Sequence, residues 1–431
     1  MTIEHLHGVP HLTTALSGPL HHIESVLLEY QSRIESWFRK QWLQYPAPFY
    51  TSVDLRNAGF KLAPVDTNLF PAGFNNLNQA FTPLSVQAIQ TAIEHLCPKA
   101  ANILIIPESH SRNLFYLESL ATLQEFISKA GFTVHIGSID PKLEEKSEIT
   151  LPSGGTVTLN PLIRNGNKVG IEGFQPCLVV LNNDLSGGQP EILQDIDQLI
   201  TPPLGLGWSH RLKSTHFSHY RDIVIDFCKL VDIDPWLIDP LFRNCGKLDF
   251  KKREGENCLA KNSEKLLTAI QTKYDEYNIK EKPFLIVKAD AGTYGMGVMT
   301  IHSPDEIVSL NRKQRNKMAF AKEGMDVSRV ILQEGVYTFE TWKAENSVAE
   351  PVVYMIDHFV VGGFYRVHTE RGPTENLNAP GMHFQPLAFV EPCNTPNQNM
   401  APDSEPNRFY AYGVIARLAQ LAAAREISSI T

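Results

Sequence analysis

The chain has 431 residues, of which 43% are hydrophobic and 20% are charged, and its formal net charge is -8 at pH 7. This length predicts two or three lobes of an ordinary folded protein, and the acidic balance excludes a general electrostatic affinity for nucleic acid. The sequence shows no signal-peptide pattern and no apolar run near the ~20 residues of a membrane helix, so we expect a cytoplasmic protein without a membrane partner.

Residues 1–82 combine a helix with a pair of short strands. Apolar residues recur at helical spacing in "HIESVLLEYQSRIESWFRKQWLQ". In the stretch "SVDLRNAGFKLAPVDTNLFPAGFNNL", Gly59 and Pro64 interrupt two strand-like pieces, and a loop rich in Pro, Gly and Asn follows. Asp66 and Asn68 stand two residues apart, so on a strand both side chains project to the same face. We therefore predict two strands that end in a polar site.

Residues 83–205 alternate helices with apolar strands such as "NILIIPE" and "CLVVLNND". This alternation predicts an α/β domain with a mainly parallel sheet and helices on both faces. The segment Asn182–Gly188, "NNDLSGG", follows one strand at its carboxyl end, where open α/β sheets usually bind ligands. A turn that only ends the strand is an equally good interpretation.

Within residues 206–431, the stretch "PFLIVKADAGTYGMGV" places Lys288 at the end of an apolar run, ahead of Gly292, Gly295 and Gly297. A Walker loop has the opposite order, with glycines before the lysine and a helix behind it. The dinucleotide-binding motif also opens a helix, whereas "VMTI" predicts a second strand. The sequence therefore predicts a glycine-rich hairpin between two strands, with Lys288 beneath it.

Such a hairpin can bind phosphate groups, although a hairpin of purely structural role fits the same pattern. Glycine permits a close approach of backbone N–H groups to a polyphosphate, and lysine adds a positive charge. The segments that follow favour phosphate binding. "RVILQEGV" ends an apolar strand at a hinge, 333–336, whose backbone amides could read adenine, and the hairpin "EPVVYMIDHFVVGGFYRVH" supplies Arg366, suited to a phosphoryl group.

Together these features resemble the ATP-grasp ligases, and the glutathione synthetases in particular. The resemblance rests on the lysine with its glycine-rich hairpin, the hinge strand, the hairpin with Arg366, and the loop "NLNAPG". It implies a fold of class α/β and α+β, in which ATP lies between two α+β lobes, and it implies a second lysine upstream. Lys213 in "SHRLKSTHF" resembles that lysine, with Arg211 and Lys229 as alternatives.

The resemblance also implies two Mg²⁺ ions, held by an acidic residue on one strand and a Glu/Asp-x-Asn motif on the next. In the common order this motif follows the last helix, but here the sequence stops just after it. Asp54, Asp66 and Asn68 resemble the missing motif, which implies a circular permutation as in eukaryotic glutathione synthetases. Asp in place of Glu and a long connection depart from the pattern. An Asx-rich turn and a metal ligand at Glu375 are the alternatives.

Over most of its length the chain resembles the ATP-grasp type of glutamate–cysteine ligase found in some proteobacteria. The stretches that carry this likeness are "SVDLRNAGFKLAPVDTNLFPAGFNNL", "LVVLNNDLSGG", "KSTHF" and "KADAGTYGMGV". The implied reaction joins the γ-carboxylate of L-glutamate to L-cysteine through an acyl phosphate, with ATP becoming ADP and phosphate, as the first step of glutathione synthesis. Another carboxylate–amine ligase, such as a glutathione synthetase, and a non-catalytic nucleotide-binding regulator stay open.

The predicted organisation has three parts: metal-binding strands with an N-terminal helix in residues 1–82, a substrate-binding domain in 83–205 and the ATP-grasp lobes in 206–431. The predicted partners are small-molecule substrates, while the sequence leaves substrate selectivity, inhibition by glutathione and a homo-oligomer open. The predicted site residues are Lys288 and Arg366 for catalysis; Lys213, Lys288, Gly292, Thr293, Tyr294, Gly295, Gly297, Gln333, Glu334 and Val336 for ATP; Arg56, Asn75, Asn76, Asn376 and Asn378 for the amino acids; and Asp54, Asp66 and Asn68 for magnesium.

Overall fold

The computed structural model describes residues 12–13, 21–109, 113–292, 297–320, 327–342, 347–385 and 409–430. Three of the predicted loop residues, Thr293, Tyr294 and Gly295, therefore lie outside the described residues. Within the described ranges, no helix combines the length and the apolar character that crossing a membrane requires.

The α-helices contribute apolar faces to three clusters of buried side chains. Their bounds are α1 His22–Glu29, α2 Gln31–Gln44, α3 Thr82–Leu96, α4 Leu114–Lys129, α5 Lys213–Val231, α6 Glu256–Glu276, α7 Pro304–Val308, α8 Arg312–Met318 and α9 Phe409–Ser428. Helix α9 is buried on nearly every side and packs against α1, α5, β-strands of the largest sheet and the end of the parallel sheet's core. Its small alanine side chains allow this close packing on all faces.

The strands form three main sheets and one two-stranded ribbon. Their bounds are β1 Leu12–Thr13, β2 Tyr50–Asn57, β3 Leu62–Asn68, β4 Asn102–Pro107, β5 Thr133–Ser138, β6 Ser147–Thr150, β7 Thr156–Pro161, β8 Ile163–Asn165, β9 Lys168–Gly170, β10 Leu178–Asn182, β11 Leu199–Thr201, β12 Phe242–Cys245, β13 Leu285–Ala289, β14 Val298–Ile301, β15 Val330–Glu334, β16 Thr341–Trp342, β17 Ser347–Ile356, β18 Phe359–His368 and β19 His383–Gln385.

The seven-stranded antiparallel sheet joins the start of the chain to residues near its end. Strand β17 pairs with β18 along its length, and on its other edge it pairs with β16 and then with β2. Strand β2 pairs in turn with β3, so that Asp54 lies opposite Asp66, next to a register shift that follows Asp54. Both predicted hairpins, β2–β3 and β17–β18, are therefore confirmed, and they belong to one sheet.

The six-stranded sheet has the order β11-β10-β4-β5-β7-β6 and is parallel except for β6. The parallel sheet predicted within residues 83–205 is thus confirmed, while its independence as a domain stays a prediction. Helices α3 and α4 pack on one face of this sheet. The other face is covered by the ribbon β8–β9, short 3-10 turns and the end of α9, whose Ala423 and Ile427 belong to the apolar cluster there. A helix therefore contacts each face, but the helix on the second face comes from the distant α9 and not from a crossover between the strands.

The four-stranded antiparallel sheet has the order β12-β15-β13-β14. Lys288 on β13 pairs with Val298 on β14, and the N–H of Ala289 donates to the carbonyl oxygen of Gly297 at 3.1 Å. These contacts confirm the predicted strand–hairpin–strand arrangement at the glycine-rich stretch. Strand β12 pairs with β15 and closes the sheet on that side.

Candidate active site

A cavity of about 110 Å³ is lined by most of the predicted site residues. The seven-stranded sheet contributes Asp54, Arg56, Asp66 and Arg366, together with Glu350, which the sequence analysis missed. Antiparallel pairing brings these side chains to one region of the sheet although they are far apart in sequence. The cavity therefore has both acidic and basic groups on one wall.

The facing wall comes from the four-stranded sheet and the hinge behind it. Lys288, Gly292, Gln333, Glu334 and Val336 line the cavity there. The apolar side chains of Ile286, Ala289 and Val298 line the cavity from this sheet as well, and Val65 on β3 lines it from the opposite wall. This wall therefore has charged and hydrogen-bonding groups at Lys288 and Gln333, and apolar side chains at Ile286 and Val298.

The remaining lining residues are Lys213 at the first position of α5 and a loop with Glu375, Asn376 and Asn378. Of the alternatives to Lys213, Arg211 is buried in a network with Glu426 and His216, and neither Arg211 nor the exposed Lys229 lines the cavity. The structure thus brings Lys213, and not its alternatives, into the cavity with Lys288.

Four predicted residues with described positions do not line this cavity. Asn68 ends β3, where its Oδ1 accepts from the backbone N–H of Phe70 at 2.9 Å and its Nδ2 donates to the Phe70 carbonyl at 3.2 Å. Asn75 and Asn76 lie on a 3-10 turn, with Asn75 exposed. Gly297 precedes β14. The Asx-turn alternative therefore describes the Asn68 side chain in this structure, and the metal role of Asn68 stays a prediction.

Asp66 is held between two lysines. Lys213 Nζ donates to Asp66 Oδ1 at 3.0 Å, while the Asp66 side chain stays 40% exposed. The loss of water around Asp66 raises the pKa of its carboxyl group, but the positive charges of Lys213 and Lys288 outweigh this effect and lower the pKa to about 2. Asp66 is therefore a carboxylate at any physiological pH and is available as a hard oxygen ligand.

Lys288 is bound at its ammonium by Val65 and Gln333. Its Nζ donates to the Val65 carbonyl at 2.8 Å and to Gln333 Oε1 at 2.7 Å. Burial lowers the pKa of Lys288 to about 8, with the attraction of Asp66 opposing that shift and the repulsion of Lys213 adding to it. Lys288 is thus a cation that pays a desolvation penalty, which an anionic ligand would relieve.

The pKa of Lys288 gives a prediction for anion binding as a function of pH. Below pH 8 the lysine is already charged, so its contribution to the affinity for a polyphosphate is constant. Above pH 8 the ligand must bind together with a proton, so affinity should fall by up to about tenfold per pH unit. Calorimetry of ATP binding at pH 9 in buffers of different ionisation enthalpy should detect proton uptake.

The matched control for that measurement is Lys288→Arg, since arginine remains charged at pH 9. This variant should bind ATP without proton uptake at pH 9, whatever its affinity. Equal uptake by both proteins would show that another group, and not Lys288, takes the proton.

Arg366 lies between two acidic residues. Its Nη1 donates to Asp54 Oδ2 at 2.8 Å and to Glu350 Oε1 at 2.5 Å, and its Nη2 reaches Asp54 Oδ1 at 3.4 Å. Burial raises the pKa of Asp54 despite the nearby guanidinium, whereas Arg56 and Arg366 together outweigh burial and lower the pKa of Glu350. Among the described residues, the buried Nε of Arg366 has no hydrogen-bond partner. This N–H group is therefore an unsatisfied donor in this structure.

Arg56 joins the sheet to the loop above the cavity. Its Nε donates to Glu350 Oε2 at 3.0 Å, and its Nη1 donates to the carbonyl oxygens of Val336 and Pro373, both at 3.2 Å. Its Nη2 donates to the Glu375 carbonyl oxygen. Because every guanidinium nitrogen is engaged, Arg56 fixes the hinge and the loop in this structure, and its predicted contact with a substrate carboxylate stays untested.

The hinge is held by Lys61, a second residue that the sequence analysis missed. Lys61 Nζ donates to Glu334 Oε2 at 2.9 Å, and that carboxylate also accepts from Trp236 Nε1 and the Leu241 N–H. The backbone N–H groups of Glu334 and Gly335 donate to carbonyl oxygens within the protein. These two amides are therefore already paired and are not open for the predicted contact with adenine.

The acidic groups of the cavity fit a divalent cation that is shared with a phosphate ligand. Among the described residues, no group of three or more His, Cys, Asp or Glu side chains could hold a metal ion by itself. Magnesium rarely needs such a group, because one or two carboxylates usually hold it together with water and phosphate oxygens. Asp54 and Asp66, on paired positions of β2 and β3, supply two such carboxylates.

Comparison with known proteins identifies relatives of the whole chain. A family model named GshA, for glutamate-cysteine ligase, matches residues 24–427. A crystal structure from Methylobacillus flagellatus KT, of a protein provisionally named gamma-glutamylcysteine synthetase, is 58% identical with a TM-score of 0.89, covering 98% of this chain and 99% of that one. No curated protein matches.

Two more distant solved structures also match. One is a glutathione synthetase-like effector from Globodera pallida, at 11% identity and a TM-score of 0.36, covering 84% of this chain and 80% of that one. The other is D-alanyl-alanine synthetase A from Vibrio cholerae, at 10% identity and a TM-score of 0.28, covering 59% and 66% respectively. Both TM-scores are too low to support an argument about this chain.

Proposed function

Because the chain belongs to the glutamate-cysteine ligase family, we propose that the cavity between its two antiparallel sheets binds ATP and joins L-glutamate to L-cysteine. The products are γ-glutamylcysteine, ADP and phosphate. The observation that supports this most strongly is the convergence of Lys213, Lys288 and Arg366 with the carboxylates of Asp54 and Asp66 in one cavity. Cations and carboxylates in that combination suit a metal-bound polyphosphate.

In this proposal ATP lies between the sheets, in a permuted ATP-grasp arrangement. Lys213 and Lys288 contact its phosphates, and the backbone of Gly292, which lines the cavity, lies beside them. The apolar side chains of Ile286 and Val298 contact the adenine ring. Since the N–H groups of Glu334 and Gly335 are paired, the proposed adenine contact falls to the backbone of Val336, which lines the cavity.

Asp54 and Asp66 would hold magnesium, with two ions as the proposed number. When bound, the metal neutralises phosphate charge and orients the transferred group. Asp66 is ionised already, and its partner Lys213 can turn from the carboxylate to a phosphate oxygen. Asp54 would give up part of its contact with Arg366 to hold the cation.

The acyl transfer follows from the charges of the substrates. An oxygen of the glutamate γ-carboxylate attacks the γ-phosphorus of ATP, and ADP leaves, which gives an acyl phosphate. The cysteine amine then attacks the acyl carbon, loses a proton and displaces phosphate. Arg366, which lines the cavity, stabilises the oxygens on which negative charge builds through its guanidinium charge. Asn376 and Asn378 in the loop are the nearest candidates for the amino and carboxylate groups of the amino acids.

The substrate pair is tested by ATP-dependent phosphate release. We expect turnover with glutamate plus cysteine and only background with γ-glutamylcysteine plus glycine, and mass spectrometry should identify γ-glutamylcysteine. Turnover with only the second pair would identify a glutathione synthetase and refute the proposed substrates. ATP binding without turnover for either pair would favour a nucleotide-binding regulator.

A further inference from the structure

We propose that Trp208 is a positioning residue that holds Lys213 in place for the nucleotide; this inference rests on the proposed function. Trp208 is 2% exposed, and the Lys213 ammonium lies 3.9 Å from the centroid of its ring. At that distance an indole face attracts a cation, and the attraction is stronger where water is excluded. Trp208 does not line the cavity, so it acts on a ligand only through the lysine.

Lys213 needs such a support because of where it stands in the chain. It is the first residue of the 19-residue helix α5, and the positive end of a helix dipole does not favour a cation. Its described side-chain partners are Asp66 and the Trp208 ring. A metal ion on Asp66 would compete with the lysine for that carboxylate, whereas the indole face is unaffected by the metal. Trp208 is therefore the partner that remains when the site is loaded.

The indole itself is fixed from two directions. The backbone N–H of Trp208 donates to the Asp184 carbonyl oxygen at 2.8 Å, and its Nε1 lies 3.4 Å from Asn68 Oδ1. Asp184 belongs to the "NNDLSGG" segment at the carboxyl end of β10, and Asn68 ends β3. The position of Lys213 therefore depends, through Trp208, on the parallel sheet and on the strand that carries Asp66.

Arg211 also approaches the ring, with its guanidinium carbon 5.0 Å from the centroid. Its side chain, however, is held by Glu426 at 2.8 and 2.9 Å and by the Thr67 carbonyl oxygen at 2.6 Å. The position of Arg211 is therefore fixed without the indole. Lys213 is the cation whose position depends on Trp208.

A double-mutant cycle on ATP affinity tests the inference, with ATP and Mg²⁺ titrated into the full chain by calorimetry. Trp208→Leu should raise the Kd for ATP about 5- to 20-fold, and Trp208→Phe, which keeps an aromatic face, by only about 2- to 5-fold. In a Lys213→Met background, Trp208→Leu should change the Kd less than about twofold, because the residue through which it acts is gone.

The same loss in both backgrounds would overturn the inference, since it would show a general structural effect. So would an unchanged Kd in Trp208→Leu. Trp42→Leu, a change in helix α2 outside the cavity, serves as the control and should leave the Kd unchanged. If thermal unfolding shows that Trp208→Leu does not fold, Trp208→Phe takes its place, and its effect on the Kd is compared with and without Lys213→Met. Failure of the unaltered protein to bind ATP would instead refute the proposed function.

Discussion

Replacing Asp66 by Asn should lower kcat/KM by about 10³-fold or more while leaving the fold intact. The change keeps the size of the side chain but removes the charge that the two neighbouring lysines stabilise and that a divalent cation requires. The Mg²⁺ concentration that gives half-maximal activity should rise as well. Phosphate release measured across a range of Mg²⁺ concentrations checks both expectations.

Stability should change little in that variant, by less than about 2 kcal/mol, because the Asp66 side chain is 40% exposed and water screens its charge. Asp226→Asn, on the exposed face of α5, is the matched control and should keep full activity. Activity of Asp66→Asn within twofold of the unaltered protein would refute the metal site on β2 and β3, and with it the support for a permuted arrangement.

Replacing Arg366 by Met should abolish activity and also destabilise the protein. Without the guanidinium, the carboxylates of Asp54 and Glu350 face each other in a buried environment with Arg56 as the remaining cation. Removal of one partner from a buried ion pair costs about 3–5 kcal/mol. Urea unfolding and phosphate release on the same preparation measure the two effects together.

The double variant Arg366→Met with Glu350→Gln separates these effects. It removes one of the two carboxylates that the arginine balanced, so a large part of the lost free energy of unfolding should return. Activity should not return, because the guanidinium that is proposed to contact the reacting oxygens is still missing. Recovery of activity in step with stability would show that Arg366 only supports the fold.

The residues whose hairpins the sequence predicts, and which the structure brings to the cavity, have a local signature. Lys288 is recognisable because an apolar strand, a lysine and three glycines follow one another. The glycines permit a tight turn, and the apolar stretch after them predicts the second strand of a hairpin. The hairpin that carries Arg366 is likewise a pair of neighbouring apolar strands. In both cases the pattern that predicts the hairpin lies within about twenty residues, so the spacing of apolar residues and the turn residues are enough to identify it.

Glu350 and Lys61 lack such a signature. Each is a single charge in an apolar or turn segment, and its role depends on partners that are distant in sequence, such as Arg56 for Glu350 and Glu334 for Lys61. The one available signal was the charge itself, since an unpaired ion is rarely buried within a strand. Asn68 shows the reverse. Period-2 alternation predicts the direction of its side chain, but at the end of the strand that side chain bonds to the backbone of Phe70.

The pairing of β2 with β17 has a consequence for synthesis of the protein. Asp54 lies 312 positions before Arg366, so the ribosome releases the first acidic strand long before its ionic partner exists. The edge of β2 that pairs with Val352–Ile356 must wait for most of the chain. Contacts of such separation form slowly. Asp54 therefore meets its cation only after Arg366 has been synthesised, whereas Asp66 has Lys213 as a partner much earlier, and no nascent chain shorter than 366 residues holds all the charges of the cavity.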